Sequence, residues 1–252
     1  MTDIVDAHTA VTSLKGRRAI VTGGTTGIGR AIAVLLAAEG AKVFIGGTSP
    51  EHLQDALARI REVGEGDGMT LDLAVAGHAR AFLEAGESYL GGLDIAVMNA
   101  AVAAEGLTDM SEDEVAHVVA LNFTAYVMGA HAAAARLTKR GDLVLIGSMS
   151  AHVLGPGSTV YAGIKAGIAG FSEALRRELG PKGIRVALVE PGLTGSTMQE
   201  PDTPPEEQRE KIADETMLRA EDIAVGVHYL LTQPGRTVVQ QLTIVPRAQG
   251  GE

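Results

Sequence analysis

The sequence predicts an α/β fold, a single domain built on a doubly wound parallel sheet with helices on both faces. Three observations carry that prediction. Short apolar runs alternate with segments of helical periodicity from Arg18 to Val245. The intervening helical segments, mostly ten residues or longer, supply the crossovers that parallel pairing requires. The strand-like runs are apolar almost throughout, as in a sheet covered on both sides. A chain of 252 residues, 46% of them hydrophobic, is long enough to bury one such core. Only 3% are aromatic, so that core is built from Ala, Val, Ile and Leu.

Taken in order, residues 1–14 read as a loose polar leader and 15–252 as the domain. Residues 19–21 form a first strand ending at Gly23. Ile28, Ile32, Leu35 and Leu36 then recur at helical spacing, and Gly40 stops that helix. A second strand covers 41–45. Ser49 as N-cap and Pro50 in the first turn open a helix to Val63. A strand at 69–71, a helix over 76–90 and a strand at 95–98 follow. Ser111 and Glu114 make a capping box for a long helix reaching Lys139. A strand at 143–146 precedes a helix over 161–179, stopped by Gly180-Pro181. A strand at 184–189, a helix over 221–231 and a strand at 238–245 complete the series. Residues 195–214 are rich in Pro, Glu, Thr and Ser and break the alternation, which predicts a mobile lid around 195–217.

Composition excludes several functions. The formal charge is −10, without the basic patch that nucleic acid or an anionic membrane would demand. The absence of Cys removes disulfides, thiolate nucleophiles, Cys-type zinc sites and iron–sulfur clusters. The seven His form no His-Glu-x-x-His pair, so no metal is expected. No apolar run approaches the ~18–20 residues that span a bilayer, and the N-terminal residues have no signal-peptide pattern. A soluble, cytoplasmic protein is expected.

Between the first strand and first helix lies Thr22-Gly23-Gly24-Thr25-Thr26-Gly27-Ile28-Gly29. Gly23 permits a tight turn, Gly27 allows a pyrophosphate to approach the backbone, and Gly29 allows close helix–sheet packing. The helix N-terminus offers free N–H groups and positive dipole to phosphates. Further on, Tyr161 and Lys165 stand four apart, on one helix face. A phenol of pKa near ~10 is a poor acid–base group at neutral pH, and a neighbouring ammonium lowers that pKa. Tyr161 can then exchange a proton with a carbonyl or alcohol oxygen. Ser148, thirteen residues earlier at a strand end, can hydrogen-bond the same oxygen.

The Gly-x-x-x-Gly-x-Gly loop, Ser148, Tyr161-x-x-x-Lys165, Asn99-Ala100-Ala101 and Pro191-Gly192 together resemble the short-chain dehydrogenase/reductase family, over about residues 15–245. The resemblance implies a Rossmann-like fold and NAD(P)-dependent oxidation or reduction of a small-molecule carbonyl or alcohol. It makes Ser148, Tyr161, Lys165 and Asn122 the catalytic set. Lys165 would also bond the nicotinamide ribose, and Asn122 would orient Lys165 through a water. The cofactor would meet Gly23, Thr25, Thr26, Gly27, Ile28 and Gly29, then Gly47, Thr48 and Ser49. Asp72 and Leu73 would lie by the adenine, Asn99 and Ala100 at the fourth strand's end, and Pro191, Gly192, Thr194 and Ser196 beside the nicotinamide. Asp72 serves equally well as a turn cap. No acid guards the second strand's end, where one would bind a ribose and repel a 2′-phosphate. NADP is therefore favoured, with NAD possible. Ala101 replaces the Gly of the family's Asn-Ala-Gly.

Small residues line the helix that bears Tyr161, and family members pair that helix with its copy, which implies a homotetramer. A nucleotide-binding sensor on the same fold is the competing reading. Such proteins lack the Tyr or the Lys that this chain keeps.

Overall fold

The apolar runs all form strands, and all of them pair in parallel. In this computed structural model, which describes residues 11–200 and 202–248, the strands are β1 (Arg18–Thr22), β2 (Lys42–Gly47), β3 (Glu65–Thr70), β4 (Leu93–Met98), β5 (Leu137–Ile146), β6 (Arg185–Pro191) and β7 (Gln241–Ile244). They lie side by side in the order β3-β2-β1-β4-β5-β6-β7. The order reverses between β1 and β4, so a crevice opens at their carboxyl ends.

Alternate strand residues point to opposite faces, and each face is covered. On one side Val21, Ile45, Val97 and Val189 pack with Ile32 and Leu36 of α1 (Gly27–Ala38), Ile60 of α2 (Pro50–Val63) and Val227 of α8 (Ala220–Leu231). On the other, Ile20, Ala96, Leu143 and Leu188 meet Phe82 of α3 (His78–Leu90), Val118 of α4 (Glu112–Val119), Tyr126 of α5 (Ala125–Ala134) and Ile168 of α6 (Thr159–Leu179). At the amino edge of the sheet, buried Asp142 takes Arg17 at 2.7 Å and Arg185 at 2.5 Å, tying β5 to β6 far from the crevice.

Several boundaries depart from expectation for identifiable reasons. β3 begins at Glu65 rather than Met69, because Gly66 and Gly68 are sites of close approach and not of a turn. A Cβ on Gly66 would stand 2.6 Å from Ile60 and 2.7 Å from Val43. The helix predicted to run to Lys139 ends at Ala134. β5 begins at Leu137 opposite Leu93, shifts register, and resumes at Asp142 opposite Ile95, with Arg140 at φ 81°. Gly180 does not stop α6 in a left-handed conformation. It stays helical (φ −53°, ψ −48°), a short turn Gly180–Lys182 follows, and Gly183 at φ 86° makes the reversal. β7 is limited to Gln241–Ile244, paired with Leu188–Pro191, so it ends where β6 does.

Residues 1–10 of the expected leader lie outside the described residues. At its far end Leu14 is buried and the Thr12 N–H donates to the Thr232 carbonyl at 2.8 Å. The expected lid segment contains α7 (Pro205–Ala213). The run Glu112–Ala134 is long and apolar enough to cross a bilayer by length and composition. It nevertheless serves as a core element, with Val118, Tyr126, Ala130 and Ala133 buried against the sheet.

Candidate active site

The carboxyl ends of the strands open into a cleft of about 1180 Å³. Its nucleotide end is made of backbone. Gly23, Thr25, Thr26, Gly27 and Ile28 line it together with Gly47 and Thr48. Gly27 holds φ 48°, a left-handed conformation. Gly29 does not line the cleft. A Cβ there would overlap the Gly23 carbonyl oxygen and come within 2.5 Å of Asn99 Nδ2, so this glycine lets α1 close on the sheet. Ser49 is likewise displaced from the cleft wall: its hydroxyl caps α2, accepting from His52 N–H at 3.2 Å.

The join between β1 and β4 is a hydrogen-bonded knot. Thr22 Oγ1 accepts from the N–H groups of Asn99 (2.8 Å) and Ala100 (3.1 Å). Asn99 Nδ2 donates to the carbonyls of Thr22 and Gly23, each at 3.1 Å. Thr22 was not singled out from sequence. The signal was present as a hydroxyl at the end of an otherwise apolar strand. Leu73 lines the cleft, whereas Asp72 makes the turn, its Oδ1 accepting from Ala74 N–H at 2.8 Å.

The end where the expected catalytic residues gather is made of side chains. Ser148, Tyr161 and Lys165 share one wall with Pro191, Gly192, Thr194 and Ser196. Ser148 Oγ donates to Ser150 Oγ at 3.1 Å and accepts from Ser150 N–H at the same distance. Lys165 is buried, and its ammonium donates to the Ile146 carbonyl at 3.0 Å. It lies 5.4 Å from the Tyr161 ring centroid, over the ring face instead of at the hydroxyl. The expected lowering of the phenol pKa therefore does not appear. Burial pushes Tyr161 up to about 12, with its hydrogen bond to Ser148 acting in the opposite direction. Burial also pulls Lys165 down to about 7.

Asn122 sits in a wide turn, Ala120–Thr124, that joins α4 to α5 with five-residue hydrogen bonding. Such π turns concentrate at functional sites. Its carboxamide does not point to Lys165. Oδ1 accepts from Val102 N–H at 2.9 Å and Nδ2 donates to the Val102 carbonyl at 2.7 Å, which pins the loop after β4. The loop after β6 is pinned by Gln208 of α7, another residue unmarked in the sequence reading. Its Oε1 accepts from Ser196 N–H at 2.9 Å and its Nε2 donates to the Thr203 carbonyl at 2.8 Å. This brings Ser196 over the glycine loop, where a Cβ on Gly27 would stand 3.2 Å from Ser196 Cβ.

The remaining surface of the cleft includes small and apolar side chains, Ala101, Val102, Met149, Val153, Leu193 and Met198, beside the polar Ser150, Ser158, Thr197, Gln199 and Thr216. The two cations of α7 are paired, Arg209 with Glu206 at 3.8 Å and Lys211 with Glu207 at 2.9 Å. Asp202 lines the cleft on the same side.

Known proteins resemble this chain in sequence and in fold. Residues 17–207 match the family described as short chain dehydrogenase. A 3-oxoacyl-[acyl-carrier-protein] reductase of Pseudomonas aeruginosa is 35% identical over 226 residues, which cover 86% of this chain and 91% of that protein. An uncharacterized oxidoreductase of Staphylococcus aureus is 29% identical over 242 residues, 94% of this chain and all of that one. A short chain dehydrogenase from Burkholderia cenocepacia, solved in complex with NADP, superposes with a TM-score of 0.84 at 35% identity, covering 93% of this chain and 98% of that one. The chain belongs to the short-chain dehydrogenase family and has its parallel Rossmann-like sheet.

Proposed function

We propose that the chain is an NADP-dependent reductase of small, uncharged, apolar ketones or aldehydes. The observation that carries this reading is the convergence of Ser148, Tyr161 and Lys165 on one wall of a cleft whose other end is a glycine cradle. Backbone N–H groups at the start of α1 would hold the pyrophosphate, in a space that a Cβ at Gly27 would narrow. Gly47 and Thr48 would face the adenosine ribose, with no carboxylate to repel a 2′-phosphate. The Burkholderia relative solved with NADP supports this choice, as does a metagenomic blue fluorescent protein solved with NADPH, 27% identical with a TM-score of 0.82. Pro191, Gly192, Thr194 and Ser196 would border the nicotinamide. When bound, the nicotinamide supplies the hydride.

Tyr161 acts as the proton donor to the carbonyl oxygen, with Ser148 hydrogen-bonding the same oxygen as charge develops on it. Burial keeps the Tyr161 phenol in its protonated form at neutral pH, so the proton to be donated is in place. Lys165 supplies positive charge next to the Tyr161 ring and would hold the ribose hydroxyls of a bound cofactor. Asn122 holds the loop that forms the facing wall.

Apolar walls and the absence of an unpaired cation on α7 favour a neutral substrate over one carried on an anionic protein. The test is a panel of ketones and aldehydes, free and as carrier-protein thioesters, assayed by cofactor oxidation with NADPH and NADH. Turnover of free ketones with NADPH is expected. Turnover confined to the carrier thioester would overturn the substrate class. Cofactor binding with no turnover of any carbonyl would instead favour the sensor.

The proposed enzyme is a soluble cytoplasmic homotetramer. On α6, Gly163, Ala166, Gly170 and Ala174 form one exposed face, and a Cβ on Gly163 or Gly170 would meet nothing within 4 Å. Gly167 instead packs on Phe123, and Ala169 packs on the core, so neither is free for a partner. Ala166→Arg should reduce the mass seen by light scattering at micromolar concentration.

A further inference from the structure

Lys165 carries its charge almost wholly buried in the cleft wall, 2% exposed. Burial opposes the charged form, and among the described residues no carboxylate pairs with it. Three groups face the ammonium. Tyr161 comes from its own helix, with its ring centroid at 5.4 Å. The Ile146 carbonyl comes from β5, at 3.0 Å. Tyr126 comes from α5, with its ring centroid at 5.3 Å. Tyr126 is itself buried, and its hydroxyl donates to the same Ile146 carbonyl at 3.2 Å. The wide turn at Ala120–Thr124 helps bring this about, since it leaves Leu121, Asn122, Ala125 and Tyr126 all facing inward.

We infer that Tyr126 is a positioning residue for Lys165. Its ring and that of Tyr161 form a two-ring cage that keeps the buried ammonium charged, and its hydroxyl anchors the carbonyl to which the ammonium donates. The electron-rich face of an aromatic ring attracts a cation, most strongly where solvent is excluded. A Leu or Val at position 126 would fill the same space without supplying that field. The cage would hold Lys165 in the protonated state that the Tyr161 chemistry needs, in surroundings that otherwise favour the neutral amine.

The inference rests on Lys165 belonging to the active site, so the test reads the lysine directly and needs no substrate. Protein labelled with carbon-13 at the lysine ε position is titrated by NMR, with the Lys165 signal assigned from Lys165→Arg. Wild type is compared with Tyr126→Phe, which keeps the ring, and with pentafluorophenylalanine at position 126, which keeps the shape and reverses the ring's field. The Phe protein should titrate within about 0.3 pH unit of wild type, and the fluorinated protein about one pH unit lower. Identical midpoints for the Phe and fluorinated proteins would overturn the cage. So would an equal drop in both, which would assign the effect to the hydroxyl alone. A wild-type protein that turns over no carbonyl, but whose Lys165 still responds to fluorination, would refute the reductase reading and leave the cage standing.

Discussion

The two ends of the cleft are built by different means. The nucleotide end is shaped by backbone: glycines that admit close approach, helix N–H groups, and the Thr22–Asn99 knot that joins β1 to β4. The catalytic end is shaped by side chains from α6, the ends of β5 and β6, and the wide turn before α5. A backbone-made surface tolerates no added atom but is indifferent to most side-chain chemistry. A side-chain-made surface depends on single functional groups, and each of those depends on what buries it. The same contrast predicts how each end fails.

The largest effect is expected at the catalytic end. Tyr161→Phe removes the proposed proton donor and almost no volume, so kcat should fall by ~10²–10⁴-fold while NADPH affinity, measured by fluorescence titration, stays within about twofold. Retention of more than about a tenth of wild-type kcat would remove Tyr161 from the role of acid.

Next comes the nucleotide end. Gly29→Ala adds one methyl where the Gly23 carbonyl and Asn99 Nδ2 already sit. Overpacking of this kind costs about 1–3 kcal/mol, so Tm should drop by several degrees. Cofactor affinity should weaken at least about tenfold as the knot is pushed apart. An unchanged Tm and Kd would show that the cradle is not as tight as its geometry.

A smaller shift is expected from a charge placed beside the ribose. Gly47 is unsuited to the purpose, because a Cβ there would collide with the Thr25 side chain. Thr48 is exposed and lines the cleft. Thr48→Asp should move the NADPH to NADH ratio of kcat/KM toward NADH by about tenfold through repulsion of the 2′-phosphate. A ratio that does not move would place the phosphate elsewhere.

The smallest effect concerns stability. Burial pulls Lys165 from 10.5 down to about 7. Between those values the unfolded chain binds a proton that the native protein lacks, so this penalty on stability is full below about pH 7 and fades as pH rises toward 10.5. Lys165→Met should therefore raise Tm by a few degrees at pH 6 and by less at pH 9. Equal increments at the two pH values would mean that burial does not lower the Lys165 pKa.

Much of this was legible along the chain, and the reasons are local. The alternation of apolar runs with helical spacing located every strand, and Ser49-Pro50 and Ser111-x-x-Glu114 marked helix starts that the caps bear out. Where composition misled, a glycine was the cause. Gly66 and Gly68 fall outside the strand expected at 69–71 and lie in β3. Gly180-Pro181 did mark the end of α6 at Leu179, although the left-handed reversal falls three residues on, at Gly183.

What the sequence by itself determined is the set of features that depend on near neighbours in the chain: the strand–helix alternation, the glycine loop, and Tyr161 and Lys165 on one face of one helix. What only the tertiary structure decided is what surrounds those groups. The spacing of Tyr161 and Lys165 suggested a lowered phenol pKa, yet Lys165 turns to the Ile146 carbonyl and burial raises the phenol instead. The roles of Tyr126, Thr22 and Gln208 were not legible, because their partners lie 20, 77 and 12 residues away. Desolvation and long-range hydrogen bonding depend on which elements the fold stacks together, and no local pattern encodes them.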